Sequence, residues 1–317
     1  MTKQRLGMEQ VRNELSSGTR VSNPSDDPAR SGTIEQLRNT LERLDRHKQR
    51  MAYASNFLNQ QEGVLQQARD LMTRAKELAT QGANETVGTT LRAGMAVEVF
   101  QIRDALVNLA NSKINGRYIY GNLDDDDPPV DQTTAYTVPA GTDVANTRYR
   151  FDNETGTGPT RSVQISDFTS MQITSSAGIV FGNAIGTLER LGRALAGYRS
   201  TPEDGSAIPD GGGVAFNLPG ETSAQTDAIR LSINLIDDAV QDDIENERIS
   251  VGGRLARVQI EQDLLETAKL ETQKTRAELQ DTDVAEAASR LNSLETAFQG
   301  TLSVGARINN LSLLDFL

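Results

Sequence analysis

Apolar residues recur along this 317-residue chain with a seven-residue repeat that begins near Thr33. Met51, Leu58, Leu65, Met72 and Ala79 form one row. Ala54, Ala68 and Ala75 form a second, which Gln61 interrupts, and Phe57, Val64, Leu71 and Leu78 form a third. Three adjacent rows make a stripe wider than the seam of a two-stranded coiled coil. The pattern therefore predicts a helix over residues 33–79 that lies in a bundle. Thr33 with Gln36 reads as a capping box at its start, Gly82 as its stop, and Gly63 as a local weakness. A second helix is predicted for residues 90–112, carried by Leu91, Met95, Val99, Ile102, Leu106 and Leu109.

The period then changes. Asn115-Gly116 is a turn signal, followed by a strand at residues 117–120. Asp124 to Asp127 with Pro128 and Pro129 breaks any helix. From there to Gly182 short alternating runs are separated by Gly, Pro, Asn and Thr; the last of them is Ile179-Val180-Phe181. They predict a small antiparallel β unit. Helix resumes over residues 183–198, and a Gly- and Pro-rich loop with Gly211-Gly212-Gly213 runs to Gly220. A second long helix starts near Ser223, spaced by Ile229, Ile233, Ile236, Val240, Ile244, Val251, Leu255, Val258 and Leu265, with Gly252-Gly253 as a soft point. Asp283 with Glu286 reads as a fresh capping box. Beyond it Val284, Ala287, Leu291, Leu294, Phe298 and Ile308 keep a heptad spacing.

A chain that leaves along helices and returns along helices closes most simply by antiparallel pairing of its two arms. The predicted fold class is mainly α: an elongated antiparallel helical bundle or coiled coil with a small inserted antiparallel β domain. Residues 1–32 and 283–317 make a terminal coiled coil. Residues 33–122 and 183–282 make a helical bundle with a β-hairpin, and residues 123–182 an outer β domain.

Composition narrows the function. Aromatic residues are 4% of the chain and tryptophan is absent, which suits helix-on-helix seams better than a thick enzyme core. A net charge of −12 argues against nucleic acid or an anionic membrane as the main partner, and no apolar run approaches the roughly 20 residues needed to cross a bilayer. The first residues lead into polar helix and not into a signal-peptide core. With no cysteine, disulfides, thiolate metal sites and cysteine nucleophiles are excluded.

No catalytic spacing emerges. The single histidine, His47, sits among Arg43, Arg46, Lys48 and Arg50 and reads as part of a solvated helix face. Asp124 to Asp127 lacks the spacing of a calcium loop, and Gly211 to Gly213 lacks the Lys-Ser/Thr of a phosphate loop. Asp237-Asp238 and Asp242-Asp243 read as a solvent face. No cofactor and no metal ligand is expected.

The chain end is unusual. Leu311, Leu313, Leu314, Phe316 and Leu317 crowd a terminus where polar, frayed residues are the norm. With Val284, Leu291, Leu294, Phe298 and Ile308 they make a stripe expected to meet other subunits. The short polar arm ahead of Ser16, with Leu6, Met8, Val11 and Leu15, is too small to cover it.

Particular strings then suggest a relationship. Leu15-Ser16-Ser17-Gly18-Thr19-Arg20-Val21 followed by Asn23-Pro24-Ser25-Asp26-Asp27-Pro28 closely resembles the N-terminal signature of the flagellin family of axial proteins, in the form seen at the hook-filament junction more than in flagellin itself. Residues 73–84, with Lys76-Glu77-Leu78-Ala79 and Gln81-Gly82-Ala83-Asn84, and residues 297–317 are similar to the same family's segments. The resemblance covers residues 11–122 and 223–317 and leaves the β insert unrecognised. Members usually carry more residues ahead of the Ser-Ser-Gly string, so the N-terminal half of the terminal coiled coil is expected to be incomplete in this sequence.

The resemblance implies a structural subunit, not an enzyme, that joins hook to filament and associates with itself in a ring around an axial channel. Hook-associated protein 1 and flagellin would flank it, and an export chaperone would hold its C-terminal helix. The subunit would be extracellular, exported through the type III apparatus without a cleaved signal peptide. Asn23, Pro24, Asp26, Asp27 and Pro28 would form the joint between coiled coil and bundle: Pro24 and Pro28 restrict the backbone, and Asp27 caps the restart. A filament-forming flagellin, and from a different class a cytosolic coiled-coil adaptor or secretion chaperone, are the alternative readings.

Overall fold

In the computed structural model, which describes residues 2–121, 127–132, 137–138, 149–151, 160–166, 169–198, 208–209 and 221–314, Asp27 and Pro28 start the long outgoing arm. Asp27 Oδ1 accepts the Arg30 backbone N–H at 3.1 Å, and Pro28 at the first helical position has no N–H to satisfy. Helix α2 (Pro28–Gly82) therefore begins ahead of the Thr33–Gln36 box, which lies inside the helix and caps nothing. Gly82 ends it as expected. Helix α1 (Thr2–Ser17) precedes it.

The chain folds as two compact units, one of Met1–Lys48 with Asp263–Leu317 and one of Gln49–Gln262. In the second unit the three heptad rows of α2 are its buried face. Met51, Leu58, Leu65, Met72 and Ala79 are fully buried, as are Ala54, Ala68 and Ala75, and Phe57, Val64 and Leu78 nearly so. Helix α3 (Thr89–Ala110) buries Ala96, Val99, Ile102 and Leu106.

After α3 a tight hairpin joins β1 (Lys113–Ile114) to β2 (Arg117–Tyr118). Its turn residues Asn115 and Gly116 have φ of 51° and 81°, both left-handed, as a two-residue hairpin turn requires. The strand ends at Tyr118, shorter than the predicted 117–120, because Ile119 and Tyr120 turn inward and are fully buried. Tyr120 meets Phe181 edge-on at 4.9 Å, and its carbonyl accepts the Ala177 N–H at 3.2 Å.

That anchor explains a correction. Ile179-Val180-Phe181, expected as a strand, belongs to helix α4 (Ala177–Ala196). A short apolar run has no periodicity of its own; here it continues into Ala184, Ile185, Leu188, Leu191 and Leu195, all buried. Helix α4 is buried around most of its circumference, packing on α3, on α5 (Glu221–Asp238) and on the segment after it. At Gly192 a Cβ would run into the Phe100 ring, so only glycine permits this α3–α4 approach.

Helix α4 also buries charge. Glu189 is fully enclosed and ion-paired with Arg103 of α3, and with Arg193 one turn on at 2.9 Å. Arg103 additionally reaches Asp104 at 2.7 Å and lies 4.8 Å from the centre of the Phe100 ring.

The small strands pair two by two, all antiparallel: β1 with β2, β3 (Val130–Gln132) with β5 (Tyr149–Phe151), β4 (Thr137–Val138) with β8 (Ile208–Pro209), and β6 (Ser162–Gln164) with β7 (Ser170–Gln172). Strand β8 comes from the stretch read as a Gly/Pro loop, so the β part draws on residues beyond α4. Asp124 to Asp126 and Gly211 to Gly213 lie outside the described residues.

The returning arm starts at α5, passes through a π-helical segment at Ala239–Glu245 and continues as α6 (Asn246–Gln280). Residues flanking the π segment keep right-handed helical backbone angles, so periodicity alone gave no sign of it. Salt links tie this arm to α2: Lys76 to Asp237 at 2.6 Å, Arg69 to Glu245 at 2.9 Å, and Arg248 to Glu62 at 2.7 Å. The four aspartates expected on a solvent face are thus partly engaged, Asp237 by Lys76 and Asp243 by the Asn183 amide at 3.0 Å. The mainly α bundle with small antiparallel β pairs agrees with the predicted fold class.

Candidate assembly surface

In the first unit the joint sits opposite a second break. Gly18 takes a left-handed φ of 70° and its carbonyl accepts the Thr282 N–H at 2.9 Å. Arg20 N–H donates to the Gln280 carbonyl at 2.8 Å, and Thr19 bridges Asp281 in antiparallel fashion. Both arms therefore interrupt their helices at one level, and each interruption satisfies the other's backbone. On the returning side Asp283 Oδ1 accepts the N–H groups of Ala285 and Glu286 at 2.9 and 3.1 Å, which caps α7 (Val284–Leu314) as expected. On the outgoing side Asp26 Oδ2 accepts the N–H groups of Ser22 and Asn23 at 3.1 and 2.8 Å.

From these joints α1 and α7 run antiparallel against each other. Arg12 meets Glu295 at 3.0 Å, Arg290 approaches Glu14 at 3.7 Å, and Thr301 Oγ1 donates to the Gln4 side-chain carbonyl at 3.1 Å. Gly7 lies against Leu294, and Val11 and Ala287 are buried. None of these polar pairs was legible in the sequence, since nothing sets the register of two polar helix faces in advance.

The stripe residues divide. Leu291, Leu294 and Phe298 are half-buried, whereas Val284 stays 61% exposed, as do Leu302 at 45%, Val304 at 55% and Leu6 at 61%. Ile308, Leu311, Leu313 and Leu314 are carried on α7 but their side chains are not described, and Phe316 and Leu317 lie outside the described residues. Helix α1 thus shields part of the stripe and leaves an apolar edge in water.

Where α2 pairs with α6 in the same unit, Asp45 accepts from Lys269 at 2.6 Å and Glu266 from Lys48 at 3.4 Å. His47 corrects the solvated-face reading: it is 6% exposed. It follows Ile34, Leu37, Leu41 and Leu44 at three- and four-residue steps, so it occupies the inner face while the basic residues beside it point elsewhere.

Three carboxyl and phenol groups of the second unit are shifted by burial. Burial raises the Glu247 carboxyl above its ordinary value, against the opposing pull of the Ser175 hydroxyl and of Arg254. Burial likewise raises Asp243 and Tyr120. Among the described residues no group of three or more His, Cys, Asp or Glu could hold a metal ion, and no helix is long and apolar enough to cross a membrane.

Comparison with known proteins gives this surface a context. The chain matches the bacterial flagellin N-terminal helical region over residues 1–123 and the bacterial flagellin C-terminal helical region over residues 233–317. Flagellar hook-associated protein 3 of Salmonella typhimurium is 34% identical over 122 residues, 38% of this chain and 38% of that protein. The protein of that name in Escherichia coli is 31% identical over 117 residues, 37% of each. The flagellar filament 41 kDa core protein of Borreliella burgdorferi is 29% identical over 104 residues, 33% of this chain and 31% of that protein. The chain thus spans well under two thirds of the length of these relatives. A putative flagellar hook-associated protein from Vibrio parahaemolyticus superposes with a TM-score of 0.63 at 18% identity, covering 81% of this chain and 100% of that one. The flagellar junction protein FlgL from Legionella pneumophila gives 0.56 at 14% identity, covering 80% and 100%. These two likenesses establish the fold.

Proposed function

Because the chain belongs to the bacterial flagellin family, we propose that it is a structural subunit of the flagellum that joins hook to filament. The observation that carries this reading is the α1–α7 pair. The two regions matched to the family come from opposite ends of the chain, are locked in register at Gly18 and Thr282, and leave Leu6, Val284, Leu302 and Val304 exposed. A paired stripe that is half covered within one molecule suits burial against further copies, where each fully buried large apolar side chain contributes roughly 1.5–3 kcal/mol.

On this reading residues 1–32 and 283–317 form the assembling coiled coil, with residues 23–28 as its joint to the bundle of 33–122 and 183–282, and 123–182 contribute the outer β part. The subunit packs with its own copies in a ring, meets hook-associated protein 1 on one side and flagellin on the other, and leaves the cell through the type III route with an export chaperone, without a cleaved signal peptide. Its role is structural and calls for no cofactor.

Electron microscopy of a strain lacking the gene tests this directly. Bare hooks with flagellin shed into the medium are expected; normal filaments would refute it. Deleting residues 311–317 should leave a folded helical protein that no longer restores filaments to that strain. The match to filament core proteins favours one second reading, a filament-forming flagellin. Purified protein that grows long filaments by itself would establish that reading instead.

A further inference from the structure

Asn115 and Gly116, between β1 and β2, make an exposed turn. A Cβ added at Gly116 would meet nothing within 4 Å, and no hydrogen bond holds the Asn115 side chain among the described residues. The register pairs Ile114 with Arg117. The bond across such a turn engages those two residues and leaves the Gly116 N–H outside the ladder. The sheet has two strands only, a size that is marginally stable by itself, so the turn opens at little cost. The Gly116 nitrogen can then close a five-membered ring on the Asn115 side-chain carbonyl carbon, an intramolecular attack that no side chain of Gly116 obstructs. The new N–Cγ bond expels the side-chain nitrogen as ammonia, which carries off the Gly116 amide proton, and a cyclic imide remains. Water then opens the imide. Cleavage of the N–Cγ bond gives aspartate, and cleavage of the original peptide bond reroutes the main chain through Cβ and Cγ as isoaspartate.

We infer that Asn115 is a site of spontaneous deamidation in the folded protein, selected by its turn and not by sequence alone. Two other asparagines, Asn111 and Asn292, precede a small residue, here serine, and the fold restrains both. The Asn111 amide donates to the Val130 carbonyl at 2.9 Å and accepts the Val130 N–H at 3.0 Å. Asn292 lies within α7, where the Ser293 N–H is committed to the carbonyl four residues back. The two products at Asn115 differ in consequence. Aspartate keeps a two-residue turn. Isoaspartate adds a backbone carbon, so the Ile114–Arg117 and Lys113–Tyr118 pairs cannot both hold. The next bond to loosen is the one from the Ile119 N–H to the Ser112 carbonyl, 2.9 Å long. Tyr120 beyond it stays anchored on Phe181. The site is independent of the junction reading, because it is a property of the isolated chain.

The test incubates full-length protein at mildly alkaline pH, one sample native and one in concentrated guanidinium chloride. Peptide mapping by mass spectrometry follows the gain of one mass unit at each asparagine. A protease that cuts ahead of aspartate but not isoaspartate separates the two products. Native conversion at Asn115 should stay within about tenfold of its rate in denaturant, whereas folding should slow Asn111 and Asn292 by well over that factor. Folding that protects Asn115 as strongly as the other two, or no native conversion at all, would overturn the inference. Asn115→Gly keeps a residue suited to positive φ and removes the reacting carbonyl. It should abolish the mass gain in that peptide at an unchanged melting temperature, and a gain that persisted would place the reaction elsewhere. Hydrogen exchange on aged protein reads the consequence. Protection of the Ile119 amide should fall in the isoaspartate fraction and persist in Asn115→Asp; equal protection in both would refute the predicted loosening.

Discussion

Glu189 of α4 faces Arg103 of α3 in an ion pair that is almost wholly removed from water, with side-chain exposures of 0% and 7%. Removing one partner of such a pair leaves charge in a low-dielectric interior, which typically costs 3–5 kcal/mol, far more than the pair itself contributes. Glu189→Ala should therefore lower unfolding free energy by about 3 kcal/mol or more in urea titration. A loss below about 1 kcal/mol would mean that water reaches the pair as it does at a surface.

Gln61 offers the opposite case. It is fully buried on α2, and neither its side-chain oxygen nor its nitrogen has a hydrogen-bond partner. Replacing it by methionine, similar in length and unbranched, removes the unmet polar atoms. We expect a gain of roughly 1–3 kcal/mol, read from the denaturation midpoint at unchanged slope.

The pH response of Glu247 follows from its burial. Its carboxyl titrates above the ordinary value of 4.5, so the folded state binds the proton more tightly than the unfolded chain. The stability this contributes is complete below the unfolded value and is lost as pH rises through the folded one. Glu247→Gln cannot titrate. Its stability relative to the parent should therefore improve as pH rises from about 4 to 7, the interval above the ordinary carboxyl range. Parallel curves for the two proteins would contradict this.

Two caps hold the joint. Asp27→Ala removes the acceptor for the Arg30 amide and Asp283→Ala the acceptor for two amides of α7. Each should cost about 1 kcal/mol. Hydrogen exchange should speed up locally, at residues 28–31 in the first variant and 284–287 in the second.

Much of this was visible in the chain itself, because burial follows periodicity wherever a helix is long. The rows from Met51 to Ala79 predicted the inner face of α2, and Gly82, Asp283 and Asn115-Gly116 announced their own backbone roles. Failures came where local signals competed. Thr33 imitated a helix start that Asp27 and Pro28 had already made. His47 was judged by its basic neighbours rather than by its step from Leu44. Ile179 to Phe181 had too few residues to show a period, and only the Tyr120 anchor settles them as helix. The α1–α7 surface was half legible: the apolar stripe could be counted, but the Arg12–Glu295 and Arg290–Glu14 pairs depend on the two helices being brought together.

The π-helical segment at residues 239–245 bears on how this chain tolerates changes of length. A helix that repeats every 3.6 residues turns about 100° per residue, so deleting one residue within α2 would swing every later side chain off the core. The π segment holds slack of about one residue in a wider turn. A single deletion there is expected to be absorbed by tightening to ordinary α-helix, with Ile229 and Val251 keeping their buried orientations. The returning arm thus carries a built-in place for insertion and loss that the outgoing arm lacks.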